Sequence, residues 1–184
     1  MNKLKLASKL FFALTFITLS SCSVEPVDSV LNGNGNTYLE SRILGTYILT
    51  EYNTSDQTNL NGDLIVSSNQ MHEASCFNNN TLKINATHTF SFTTKGIDVT
   101  QSVTQQSVEC KDDLSVSGTW VLSGDVLTLS YTFQGVAFIK EYFFDFTTNQ
   151  RTLTSEISPA AILSVDANGI LQSIPSSVEL VYKL

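Results

Sequence analysis

The side chains best suited to chemistry are few and scattered along the 184 residues. Nucleophilic catalysis needs a base beside its nucleophile. Only His72 and His88 could serve, and no Gly-x-Ser-x-Gly elbow presents a serine. His72-Glu73-Ala74-Ser75-Cys76 begins like the helical zinc motif His-Glu-x-x-His but closes on cysteine. Two ligands fall short of the protein set that zinc takes, so His72 reads as an exposed loop histidine. His88, in the turn Asn85-Ala86-Thr87-His88, reads as solvated. The stretch Asp56 to Asp63 (DQTNLNGD) has the look of a calcium loop. With Gly62 as its sixth position, however, Gln57 and Ser68 fall where acids are required, which leaves an Asx-rich turn. Glu and Asp are dispersed, with no spacing that singles out a catalytic pair. These residues point away from an enzyme and to neither a metal nor another cofactor.

The aromatics are the stronger signal. Tyr47, Phe90, Phe92, Trp120, Tyr131, Phe133, Tyr142, Phe144 and Phe146 concentrate on short β-type segments. In a small barrel most such rings simply fill the interior. A subset can instead line an apolar pocket, with tyrosine hydroxyls orienting a ligand. The candidates for that lining are Tyr47, Phe92, Trp120, Tyr131, Phe133 and Tyr142.

Leu19-Ser20-Ser21-Cys22 carries covalent chemistry of another kind. It closes an apolar run, Leu10 to Leu19, that follows Lys3, Lys5 and Lys9 and is too short to span a bilayer. The four residues resemble a bacterial lipobox. That resemblance implies a signal peptide over 1–21, cleavage before Cys22, and lipidation of its thiol and amine. Ser23 rather than Asp after that cysteine favours the outer membrane by the same likeness, with periplasmic and surface faces both open. Cleavage removes three of ten basic residues and none of seventeen acids, so the mature charge is −10. Such a surface repels phosphate backbones, and nucleic acid is excluded as a partner. Several acyl chains on Cys22 would by themselves hold the protein on a membrane. With Cys22 lipidated in an oxidising compartment, Cys76 and Cys110 form an even pair, and a disulfide between them is expected. Two free thiols, or Cys76 joining His72 on a metal, are the alternatives.

The elements that must position these groups are strands. Residues 22–40, polar and with Asn32-Gly33-Asn34-Gly35-Asn36, read as a flexible tether; 41–184 is the folded domain. Expected strands are Ile43–Tyr52, Thr81–Asn85 and Thr89–Thr94 as a hairpin, Ile97–Cys110, Leu114–Leu122, Val126–Phe133, Val136–Phe146, Arg151–Ile157, Ala161–Val165, Gly169–Leu171 and Val178–Lys183. Asn53 to Gly62 reads as a loop, and Asp63 to Glu73 as a short helix or an extra strand. The alternation over 126–133 is the cleanest, with Leu127, Leu129, Tyr131 and Phe133 on one face. About eight to ten short strands with tight turns argue for an all-β, antiparallel meander barrel.

Leu44-Gly45-Thr46-Tyr47, the Thr-Phe-Ser-Phe strand at 89–92, the two later cysteines, and Ser117-Gly118-Thr119-Trp120 running on to Leu127-Thr128-Leu129 are together similar to the lipocalin-like lipoproteins of Bacteroidetes-type bacteria. The resemblance spans roughly 41–184, although the stretch from Ile157 to Val178 is longer than a final hairpin needs. It implies a small lipocalin-like barrel, lipid-anchored through its tether, and leaves the ligand open. Three readings follow. The first is a carrier of a small apolar or amphipathic ligand. The second is a solidly filled module that docks on another envelope protein, and the weakest is a hydrolase with dispersed carboxylates.

Overall fold

The computed structural model describes residues 38–101, 106–147 and 149–184. The expected signal segment, Cys22 and most of the expected tether lie outside them. Residues 38–43 are helical (α1), so the folded unit begins within the expected tether. Ile43 at the end of α1 is fully buried, and the Tyr38 ring meets Phe146 edge-on at 6.4 Å.

Nine strands follow: β1 (Gly45–Thr58), β2 (Ser67–Asn69), β3 (Thr81–Ile84), β4 (Thr89–Gln101), β5 (Gln106–Ser123), β6 (Val126–Phe133), β7 (Val136–Phe146), β8 (Arg151–Val165) and β9 (Leu171–Lys183). From β3 to β9 each pairs antiparallel with its successor in sequence. β1 pairs with both β3 and β9, which closes an eight-stranded meander barrel, while β2 lies beside the far half of β1. Closure leaves the threonine-rich sheet few free edges. Between β2 and β3 the chain forms a helical turn, Gln70–Glu73 (α2), and a 3-10 turn, Ser75–Asn79. The ambiguous segment is thus both strand and helix.

Two expected boundaries are corrected. β1 runs on to Thr58 through residues that read as a loop, because Asn53 and Thr54 pair with Glu179 and Val178 of β9. The single strand Ile97–Cys110 is instead the two arms of a hairpin. β4 ends at Gln101, β5 starts at Gln106, those two residues pair, and Ile97 faces Cys110. The long stretch after Ile157 is an extension of β8 and β9 into a two-stranded arm, paired from Ala160↔Ser176 to Val165↔Leu171.

The interior is filled unevenly. Inward rows are buried near the end where α1 packs and become exposed toward the other. Along β6, Leu127 and Leu129 are buried while Tyr131 and Phe133 are half-buried. Along β7, Phe144 and Tyr142 are buried, Lys140 is half-buried, and Phe138 is exposed. The closed end holds the core of Tyr47, Leu82, Phe90, Trp120, Leu122 and Leu153. Trp120 donates its indole N–H to the Asn85 carbonyl at 2.9 Å, and the His88 ring lies 4.6 Å from it. Gly118, two residues earlier, has no room for a side chain. A Cβ there would press on the Ser130 carbonyl oxygen and the Phe90 ring.

The wall also parts at one seam. β7 and β8 pair only from Phe143↔Thr154 to Phe146↔Arg151. Above that, β8 shifts register between Ile157 and Ala160, across Pro159, while staying paired to β9 alone. A proline has no N–H to donate, which suits a strand with one free side.

Candidate functional site

A recess of about 470 Å³ occupies the open half of the barrel. Its walls are Leu49 and Tyr52 of β1, Phe92, Thr94 and Lys95 of β4, Lys140 of β7, Ile157, Ala160 and Ala161 of β8, and Val178, Leu180 and Tyr182 of β9. Phe77 and Asn80 close the side between β1 and β4. This volume lies within the roughly 300–1,000 Å³ usual for small-molecule sites. A second recess of about 270 Å³ adjoins it, sharing Tyr52, Phe77 and Ala161 and continuing past Leu60, Ile97 and Ile162.

Its floor is aromatic. Tyr182 reaches between opposite walls, its ring 6.3 Å from Phe92 and 5.9 Å from Tyr142, both in edge-on contact. Burial pushes the Tyr182 phenol well above its ordinary pKa, and Tyr142 likewise, so both are neutral hydroxyls. The Tyr142 hydroxyl is the one buried side-chain polar atom without a hydrogen-bond partner among the described residues. The side wall is fixed by Phe77, whose ring sits 4.9 Å from Tyr52. Phe77 follows Cys76, which is bonded to Cys110 of β5 across a Cα separation of 5.2 Å. The expected disulfide is therefore present, and the alternative of Cys76 as a metal ligand beside His72 is overturned.

No lining residue is acidic, and two are lysines. The Lys95 ammonium lies 3.4 Å from Asp113 on β5. Lys140 has no such partner: among the described residues no carboxylate stands within ion-pair distance of it. Its ammonium lies instead over rings, 5.2 Å from the Tyr142 centroid and 5.6 Å from Phe92. Desolvation lowers its pKa from 10.5 to about 8. Lys140 also stands at the parted seam. Continuing the β7–β8 register would set it opposite Ile157, an inward-facing side chain that is nonetheless 41% exposed.

The six candidate lining residues fall in three places. Phe92 lines the recess. Tyr47, Trp120 and Tyr142 lie in the packed core, where Tyr47 donates to the Ile43 carbonyl at 2.9 Å and burial pushes its phenol up to about 12. Tyr131 and Phe133 sit half-buried toward the open end of β6, outside the recess lining. Sequence reasoning passed over Lys140. Its signal was a lone cation in the inward row of Val136, Phe138, Tyr142, Phe144 and Phe146.

The other candidates stand apart from the recess lining. His72 is exposed, with Nδ1 3.3 Å from the Ser67 hydroxyl. His88 is exposed and stands 3.7 Å from Glu40. The apparent calcium loop satisfies itself: Asp63 and Asn61 bond each other, and Asn59 accepts from Gly62. Buried Glu73 accepts the backbone N–H groups of Leu60 and Asn61. Three or more grouped metal-ligating side chains are absent among the described residues.

A family model described as a lipocalin-like domain matches residues 43–155, from the end of α1 into β8. No curated protein and no solved structure matches the chain.

Proposed function

The chain belongs to the lipocalin-like domain family, and on that premise we propose that it is a non-enzymatic carrier that holds a small, largely apolar ligand in the open half of its barrel. The observation that carries this reading is the recess itself. An eight-stranded barrel is just wide enough for its own side chains to fill, yet here they fill one half and leave about 470 Å³ in the other, walled mostly by Leu, Ile, Val, Ala and aromatic side chains. The parted β7–β8 seam is a lateral route to it.

The neutral probe N-phenyl-1-naphthylamine tests the reading. Its fluorescence should rise on titration with the protein and fall with Ala160→Phe, which places a ring in the recess. No enhancement with the native chain would reject the carrier.

The address belongs to the same proposal. Lipidated at Cys22, the chain would be held at the outer membrane by its acyl chains. It would enter the barrel through α1 at the closed end, leaving the recess turned away from the point of attachment. Replacing Cys22 by Ser should abolish fatty-acid labelling and leave the precursor uncut; normal palmitate incorporation in that variant would sink the anchor. A second reading, docking on another envelope protein, draws support from Val121, Ile139 and Phe143, which stand 64%, 73% and 56% exposed on the outer face of β5 and β7.

A further inference from the structure

We propose, resting on the carrier reading above, that the ligand is an acyl chain ending in a single carboxylate, and that the Lys140 ammonium at the β7–β8 seam is the group that receives it. The barrel has placed a lysine where a methylene-rich side chain would pack without penalty. A cation withdrawn from water costs free energy unless an anion or equivalent dipoles replace the lost hydration. Lys95, on the opposite wall, has its anion in Asp113. Lys140 has only the faces of Tyr142 and Phe92, and cation–π attraction offsets only part of that penalty. The recess is thus apolar over most of its lining and carries one unneutralised positive charge beside its lateral opening. That arrangement matches an amphiphile whose tail lies across the Phe92–Tyr182 floor and whose head stays at the seam. A single ammonium matches one negative charge, and the absence of an acidic lining residue removes the repulsion a carboxylate would otherwise meet.

The charge on Lys140 also sets a pH dependence. The titratable groups around it are Tyr142 on its own strand, Tyr52 of β1, Tyr131 of β6, Lys95 of β4 and Tyr182 of β9. Tyr52, Tyr142 and Tyr182 have pKa values raised by desolvation and stay neutral. Desolvation lowers the Lys140 pKa to about 8. A bound carboxylate favours the charged form, so carboxylate affinity should fall as pH rises through 8, while affinity for a neutral ligand should not.

The test displaces N-phenyl-1-naphthylamine with dodecanoate or with dodecan-1-ol, ligands of equal chain length that differ in charge. Native protein should prefer dodecanoate by about tenfold or more, the scale of one hydrogen bond to a charged group. Lys140→Met should erase that preference while keeping dodecanol binding, and Lys140→Arg should retain it. Circular dichroism of each variant verifies folding. Equal binding of the two ligands by native protein, with the probe still bound, overturns this inference and leaves the carrier reading standing. Failure of the probe and both ligands to bind overturns both. A preference that survives Lys140→Met overturns the assignment to Lys140.

Discussion

Opening the Cys76–Cys110 bridge should destabilise the barrel by about 4 kcal/mol and loosen the wall of the recess. The bond spans a sequence separation of 34 residues. Loop-closure entropy for a loop of that size is worth about 4 kcal/mol at 25 °C in the chain-entropy description. The enclosed segment contains β3, β4 and the start of β5, so the bridge restrains one side of the sheet that the ladder alone would have to hold. Urea unfolding of the native chain against Cys76→Ser/Cys110→Ser, at equal slope, reads the difference. With a slope of about 2 kcal/mol per molar, the midpoint should fall by about 2 M. Phe77 follows Cys76 and packs on Tyr52, so the same variant should bind N-phenyl-1-naphthylamine more weakly under conditions where it remains folded. A midpoint shift below about 0.3 M with an unchanged slope would refute the entropic argument. Unaltered probe binding would refute the link between bridge and recess.

Three further outcomes follow from single residues. The folded pKa of Lys140 is about 8 against 10.5 in its ordinary state, so between those pH values the unfolded chain binds more protons and stability rises with pH; Lys140→Met should lack that rise, and parallel stability–pH curves for the two proteins would contradict it. Gly118→Ala should cost about 1–3 kcal/mol or more by overpacking, because the new methyl meets backbone oxygen and a core ring; a loss under 0.5 kcal/mol by urea unfolding would show that β5 and β6 yield easily. Tyr142→Phe removes a buried hydroxyl that has no partner among the described residues, so stability should hold or rise by about 1 kcal/mol; a large loss would mean the hydroxyl is bonded after all.

The parts of the fold that were legible are those where sequence periodicity and burial coincide. β6 alternates strictly because one face meets the core and the other meets water, and Gly124 and Gly135 in the turns at its two ends take the positive φ values of 61° and 81° that glycine supplies. The far half of β1 was illegible because its polar run, Asn53 to Thr58, carries no apolar alternation. Its buried threonines are satisfied by a side chain from elsewhere, with Gln70 donating to Thr58 at 2.6 Å and to Thr54 at 3.3 Å. The β4–β5 hairpin was missed because Ser102-Val103-Thr104-Gln105 contains none of the Gly, Pro, Asn or Asp residues that punctuate turns. The start of α1 did have a signal, Thr37 and Glu40 at capping-box spacing, next to a stretch whose composition reads as linker.

The candidate site was less legible than the fold. Period two identifies which side chains face inward, but not how far along the barrel the filling extends. That depends on where β7 leaves β8, a tertiary event marked in sequence only by Ser158-Pro159. Trp120 and Tyr47 point inward as their parity requires and lie at the filled end. Phe92, two residues along β4 from buried Phe90, reaches the recess instead.

Native mass spectrometry of the protein isolated from its own host, before any exposure to added lipid, tests the carrier most directly. A one-to-one complex is expected, releasing a single hydrophobic molecule on denaturation and reverting to the bare mass. A bare mass in the native spectrum, with no uptake from a panel of acyl chains, sterols and hydrophobic pigments, would contradict it.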